Sequence, residues 1–204
     1  MKLGILVSGR GSNLEAVLEA VADGRLAGIE PTIVVSNRSG VRALAVAERH
    51  GVPARVLRRA DFGSGTERDR AIGELLAEAS VHLVVLAGYD QLLRPSYFEA
   101  YRGRTINIHP SLLPRHGGVG MVGDAVHRSV LEAGDDRTGV TIHEVTAELD
   151  AGPPLLQVEV PVLPDDDAER LAERVLAVEH RSLVEVLERL QERSASSAHQ
   201  PGWW

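Results

Sequence analysis

An asparagine and a histidine two residues apart carry the first chemical signal in this 204-residue chain. The stretch Thr105-Ile106-Asn107-Ile108-His109-Pro110-Ser111-Leu112-Leu113-Pro114 alternates apolar and polar residues and then meets a proline. Alternate residues of a strand share one face of the sheet. Pro110 lacks a backbone donor and holds its predecessor extended. Asn107 and His109 are therefore expected to point together off the carboxyl end of a strand, where open α/β sheets bind ligands. An amide that can donate to a developing oxyanion, beside an imidazole that can move protons, suggests acyl-group chemistry. The same pair could equally tie down a loop, and this stretch alone leaves both readings open.

A second signal lies near the start. Leu3 to Val7 is an unbroken apolar run, Ser8-Gly9-Arg10-Gly11-Ser12-Asn13 follows it, and Leu14 to Ala22 has helical periodicity. Strand, glycine turn and helix together present backbone N–H groups to a phosphate. Leu14 stands where the dinucleotide fingerprint has its third glycine, and the Lys-Ser/Thr end of a nucleoside-triphosphate loop is missing. A single phosphate or a phosphorylated sugar fits better. The alternative is a tight turn with Ser12 or Asn13 as a helix cap.

These residues need a scaffold, and the hydrophobic pattern supplies one. Strands are expected over 31–37, 53–57, 81–88 and 105–109, with helices over 41–50, 65–79 and 92–101 between them, the last interrupted early by Pro95. This alternation predicts a doubly wound, mostly parallel sheet of the α/β class, Rossmann-like. The switch-point rule then gathers the 9–13 loop, the Gly88 loop and His109 at one edge. A glycine loop spans 115–124 and a helix 125–132. Period-two runs over 138–145 and 155–162 read as an antiparallel C-terminal strand pair. Asp165 to Asp167 lead a long amphipathic helix to about Leu190, their charges suited to its N-terminus. The expected domain is a single unit over 1–192, with 193–204 a polar, disordered tail. His82, near a strand start, reads as structural.

Bulk properties narrow the function. A formal net charge of −7 argues against a large nucleic-acid footprint. The absence of cysteine excludes thiolate catalysis, disulfides and cysteine-ligated metals. No apolar run reaches the ~18 residues of a membrane span, and the N-terminal run is too short for a signal peptide. A soluble, cytoplasmic chain with no membrane partner is expected. No histidine spacing supports a metal site.

Four stretches together resemble the folate-dependent phosphoribosylglycinamide formyltransferases of purine biosynthesis: Ser8 to Leu14, Leu86-Ala87-Gly88-Tyr89, Asn107 to Pro114, and Glu148-Leu149-Asp150-Ala151-Gly152-Pro153. The likeness covers roughly residues 2–192. It implies the formyltransferase fold and transfer of a formyl group from the co-substrate 10-formyltetrahydrofolate to the amine of glycinamide ribonucleotide. It also implies site roles. Asn107 and His109 would act on the tetrahedral intermediate with Asp150 beside His109. Gly11, Ser12 and Asn13 would hold the phosphoribosyl part and Glu179 the ribose or glycinamide end. Folate would lie along Asp90, Gln91, Leu92, Leu93, Thr146, Ala147, Glu148, Leu149 and Asp150. No metal and no nucleic acid are implied, and a homodimer is compatible with the reading.

Read without the resemblance, Glu179 is an ordinary solvated helix residue. The chain departs from the family pattern where Asp90-Gln91 replace Met-Arg, where an arginine expected near residue 65 is absent with Arg68 and Arg70 nearby, at Ala147, and in Arg115-His116-Gly117-Gly118. The competing functions are a formyltetrahydrofolate hydrolase and a non-catalytic nucleotide- or folate-binding module on the same fold.

Overall fold

Residues 1–197 are described in the computed structural model. The opening apolar run forms β1 (Lys2–Val7), a central strand buried along nearly its whole length. Then follow α1 (Ser12–Ala22), β2 (Glu30–Ser36), α2 (Arg42–Arg49), β3 (Ala54–Val56), a short 3-10 turn at Arg59–Asp61, α3 (Gly65–Glu78) and β4 (Leu83–Leu86). The second half runs α4 (Pro95–Ala100), β5 (Arg104–His109), α5 (Asp124–Glu132), β6 (Arg137–Glu144), β7 (Pro154–Pro161) and α6 (Ala168–Ser197).

Among the described residues, seven strands join one sheet in the order β3-β2-β1-β4-β5-β6-β7. The first five are parallel; β6 runs antiparallel to β5, and β7 to β6. Helices cover both faces. Leu14, Val17, Val46, Val130, Leu183 and Leu187 pack one side, and Ile72, Leu76, Tyr97 and Tyr101 the other. This is the doubly wound sheet with an antiparallel C-terminal pair that the alternation predicts. Strand order reverses between β1 and β4, the crevice where such sheets bind ligands.

Local chemistry sets the boundaries. Pro95 does not interrupt α4 but opens it, since a first-turn proline loses a hydrogen bond the helix never had; residues 92–94, expected to be helical, are not. Ser64 caps α3 by accepting from Glu67 N at 3.1 Å, and Glu67 returns a carboxylate oxygen to Gly63 N at 2.9 Å. The last helix starts after the aspartate run and continues past Leu190 to Ser197. It therefore absorbs the first residues of the expected 193–204 tail, while the remainder, Trp203 and Trp204 included, lies outside the described residues. His82 Nδ1 accepts from Lys2 N at 3.0 Å, a structural role as expected.

One charged cluster is deeply buried. Asp69, fully enclosed, accepts from Arg68, itself 1% exposed, at 2.6 Å, and from the backbone and side chain of Arg94 at 3.0 and 3.1 Å. It ties α3 to the segment leading into α4. Breaking a buried pair strands the remaining charge, at a cost of roughly 3–5 kcal/mol. Asp69→Ala is accordingly expected to lose about that much stability in urea unfolding, whereas Arg70→Ala, at an exposed pair, should change it by less than ~1 kcal/mol.

Candidate active site

The loops after β1, β4 and β5 converge at the switch point. Ser8 N donates to Gly88 O at 3.1 Å, and Ser8 Oγ accepts from Asp90 N at 2.9 Å. Together with the glycine loop, the 145–150 segment and one face of α6 they enclose a cavity of about 500 Å³, a usual size for a small-molecule site. Asn107, His109 and Asp150 line it, as do Gly11, Ser12, Asn13 and Glu179. Residues from six separate stretches of sequence thus meet in one space.

At one end, Gly11 takes φ 75° as the residue preceding α1, and a Cβ there would lie 2.7 Å from Ala43 Cα. Only glycine permits both the left-handed turn and this approach to α2. Neither Ser12 nor Asn13 caps the helix, so the capping alternative fails. Asn13 instead donates through Nδ2 to Glu179 Oε2 at 2.6 Å, bridging α1 to α6. Burial pushes the Glu179 carboxyl up to about 7, against the opposing hydrogen bond from Asn13. Asn13 Oδ1 is buried with no partner. The glycine turn therefore leads to an amide and a carboxylate that still have bonds to offer.

At the centre, Asn107 pairs across the sheet with His143. The backbone oxygen of Glu144 accepts from His143 Nδ1 at 2.8 Å, which leaves Nε2 as an acceptor for Asn107 Nδ2 at 3.1 Å. That network orients the Asn107 amide and leaves its second N–H available. His109 is 5% exposed, and its Nε2 donates to the His116 carbonyl at 2.9 Å. Asp150, at φ 52°, accepts from Gly118 N at 2.8 Å and places Oδ1 3.8 Å from His143 Nε2. It makes no direct hydrogen bond to His109 but acts on it through space. Burial lowers the His109 pKa; the His116 carbonyl and the Asp150 charge oppose it and lose. Asp150 thus does favour the imidazolium, but burial outweighs it and the resting ring favours the neutral form.

Asp90, Gln91, Leu92, Leu93, Thr146, Glu148 and Leu149 also line the cavity, whereas Ala147 does not reach it. The Asp90 carboxylate is engaged by Asn37 Nδ2 at 2.7 Å and by Arg38. Behind Gln91, Arg68 Nη1 donates to its Oε1 at 3.2 Å. The arginine absent near residue 65 has a physical counterpart, because a Cβ on Gly65 would collide with the Arg94 guanidinium. Arg94, with a side chain 43% exposed, fills the space beside Gly65. The cavity rim is apolar: Leu92 and Leu149 are 48% and 42% exposed, and Val119 93%.

Sequence reasoning missed four participants. His143 becomes visible only when β6 is paired with β5, although its place in a period-two run was a signal. His127 on α5 lines the cavity with Nδ1 buried and unpartnered. Ala172 and Leu176, two turns and one turn before Glu179, supply an apolar wall. Among the described residues no cluster of three or more His, Asp or Glu could hold a metal ion, and no helix is long and apolar enough to cross a membrane.

A family model described as formyl transferase matches residues 1–187. The phosphoribosylglycinamide formyltransferase of Haemophilus influenzae is 35% identical over 180 residues, covering 88% of this chain and 82% of that protein. The trifunctional purine biosynthetic protein adenosine-3 of Gallus gallus is 42% identical over 92% of this chain, which spans only 18% of that longer protein. Among solved structures, glycinamide ribonucleotide transformylase 1 from Symbiobacterium toebii superposes with a TM-score of 0.87 at 41% identity, covering 94% of this chain and 88% of the other. The phosphoribosylglycinamide formyltransferase from Bacillus halodurans gives 0.88 at 31% identity, with 95% and 97% covered.

The raised Glu179 pKa carries a signed prediction. Between the ordinary 4.5 and about 7 the folded chain holds a proton that the unfolded chain has lost. Stability from this group is thus full below pH 4.5 and is lost as pH rises through 7. Urea unfolding of wild type against Glu179→Gln should show the difference moving in favour of the variant over that window, by on the order of 3 kcal/mol.

Proposed function

The chain belongs to the formyl transferase family, and from that premise we infer that it transfers the formyl group of 10-formyltetrahydrofolate to the amine of glycinamide ribonucleotide, forming formylglycinamide ribonucleotide in purine biosynthesis. The observation that carries the reading is the pairing of Asn107 and His109 off the end of β5, between an Asn13–Glu179 polar end and an apolar rim, in a single cavity.

The reaction needs no nucleophilic side chain, because the substrate amine attacks. Its nitrogen forms a bond to the formyl carbon, the bond from that carbon to N10 of the folate breaks, and one proton passes from nitrogen to nitrogen. Asn107 offers the N–H that His143 does not take to the oxyanion as it develops. Holding that donor in place beforehand removes the cost of reorienting it during reaction. His109, with Nε2 committed to the His116 carbonyl, offers Nδ1 as the base that relieves the attacking amine and returns the proton to N10. Asp150 stabilises the ring once it is charged.

In this reading Gly11, Ser12 and Asn13 hold the phosphoribosyl group and Glu179 meets the ribose or glycinamide end. The folate ring system lies along Leu92, Leu93 and the 146–150 segment. Residues 1–192 act as one unit, with cytoplasmic location and a homodimer as further parts of the reading.

Three measurements test it. Asn107→Ala and His109→Ala should each lower kcat by at least ~10²-fold in an absorbance assay for folate product; near-normal turnover in either would remove that residue from the mechanism. Formate release without the ribonucleotide would point to a hydrolase. Asp150→Asn removes an influence that raises the His109 pKa. The acid limb of the kcat profile, where the ring protonates, should therefore move to lower pH while the maximum rate falls.

A further inference from the structure

The catalytic-side histidine owes its orientation to a residue outside the reacting cavity. His109 Nε2 donates to the backbone oxygen of His116 at 2.9 Å. His116 does not line the central cavity; its ring borders a separate depression with Arg115 and Asp135. It sits at φ 54°, an uncommon backbone state for a residue with a Cβ. Gly117 and Gly118 follow immediately, and the next hold downstream is the 2.8 Å bond from Gly118 N to Asp150.

Side-chain bonds hold this strained backbone in place. His116 Nδ1 lies 2.9 Å from Ser129 Oγ on α5, and Nε2 donates to Asp135 Oδ2 at 2.8 Å. Arg115 reaches the other oxygen of Asp135 at 2.5 Å. Ser111 Oγ donates to Arg115 O at 2.7 Å and closes the turn from the β5 side. The His116 side chain is only 10% exposed. Both of its ring nitrogens are used, and neither faces the site of reaction.

We propose that His116, anchored by Asp135 and Ser129, is a positioning residue that sets the tautomer and ring angle of His109. A carbonyl can only accept, so the contact keeps the proton of neutral His109 on Nε2 and its lone pair on Nδ1. Without the anchor the turn loosens, the carbonyl leaves, and both tautomers become accessible. A ring with the wrong nitrogen protonated cannot take the amine proton.

The test combines nitrogen-15 ring spectra of the full chain with steady-state kinetics. The His109 signal is identified by its loss in His109→Asn. Wild type is expected to show the neutral Nε2–H pattern, and His116→Ala a mixture of tautomers. The same variant should lose roughly 10- to 100-fold in kcat, the scale for removing an outer partner that fixes a histidine, with KM for the ribonucleotide little changed. His116→Gln, whose amide nitrogen can reach Asp135, should recover most of the rate and the single pattern. Asp135→Ala, which removes the acceptor, gives an independent variant should His116→Ala fail to fold, and it should also mix the tautomers.

An unchanged His109 pattern in either folded variant overturns the proposal, whether or not kcat falls. The turnover arm rests on the formyl-transfer reading, but the spectral arm does not. A wild-type chain with no turnover whose His109 pattern still changes in His116→Ala would support the positioning role and reject only that reading.

Discussion

The site depends on β5 being paired differently on its two edges. Toward β4 it is parallel, with Leu86 opposite Asn107. Toward β6 it is antiparallel, with Asn107 opposite His143 and His109 opposite Thr141. Because strand side chains alternate with period two, a one-residue slip of either pairing would turn Asn107 and His109 to the other face. The reversal at β6 also brings the 145–153 loop back over the end of β5, where Asp150 meets Gly118. A further parallel strand would have required a long crossover and carried that loop elsewhere.

Around this strand, burial decides protonation. Glu179 and His109 are both enclosed, and in each the cost of burying charge outweighs the favourable neighbours. Burial thus moves the acid at one end of the cavity toward its neutral form and keeps the base at the centre neutral. Both suit a reaction in which an amine arrives and a proton is passed between two nitrogens. Where charge is buried permanently, at Asp69, two arginines compensate it. The same cluster shows how the chain departs from its family pattern without leaving a hole: Gly65 makes room for the Arg94 guanidinium.

The glycine loop shows a contrast between order and freedom. Its first part is anchored through Ser111, Thr141 and the His116 ring; Thr141 Oγ1 donates to Ser111 O at 2.7 Å and accepts from Leu113 N at 3.0 Å. Beyond Gly117 the anchors thin out, and Val119 and Val122 stand in solvent beside the cavity. A stiff turn next to the chemistry followed by an apolar rim gives the site a fixed base with little in front of it.

Much of this was legible in the residues themselves. Apolar runs alternating with helical periodicity determined the doubly wound sheet, and the switch-point rule placed the 9–13 loop, Gly88 and His109 together, since both follow from short-range pattern and fixed connection geometry. The side-by-side placement of Asn107 and His109 needed only the strand period and Pro110. Contacts between distant segments needed the tertiary structure. Nothing in the sequence around Asn13 says that it bonds Glu179 instead of capping α1, because that choice depends on how α6 packs against α1. The role of His143 depends on strand register, and the His116 contact on a turn whose backbone is held from α5. Ala147, adjacent to lining residues, misses the cavity because a loop has no fixed period to read. Local periodicity is written in neighbouring residues, whereas the partner of a polar group is decided by which elements the fold brings within reach.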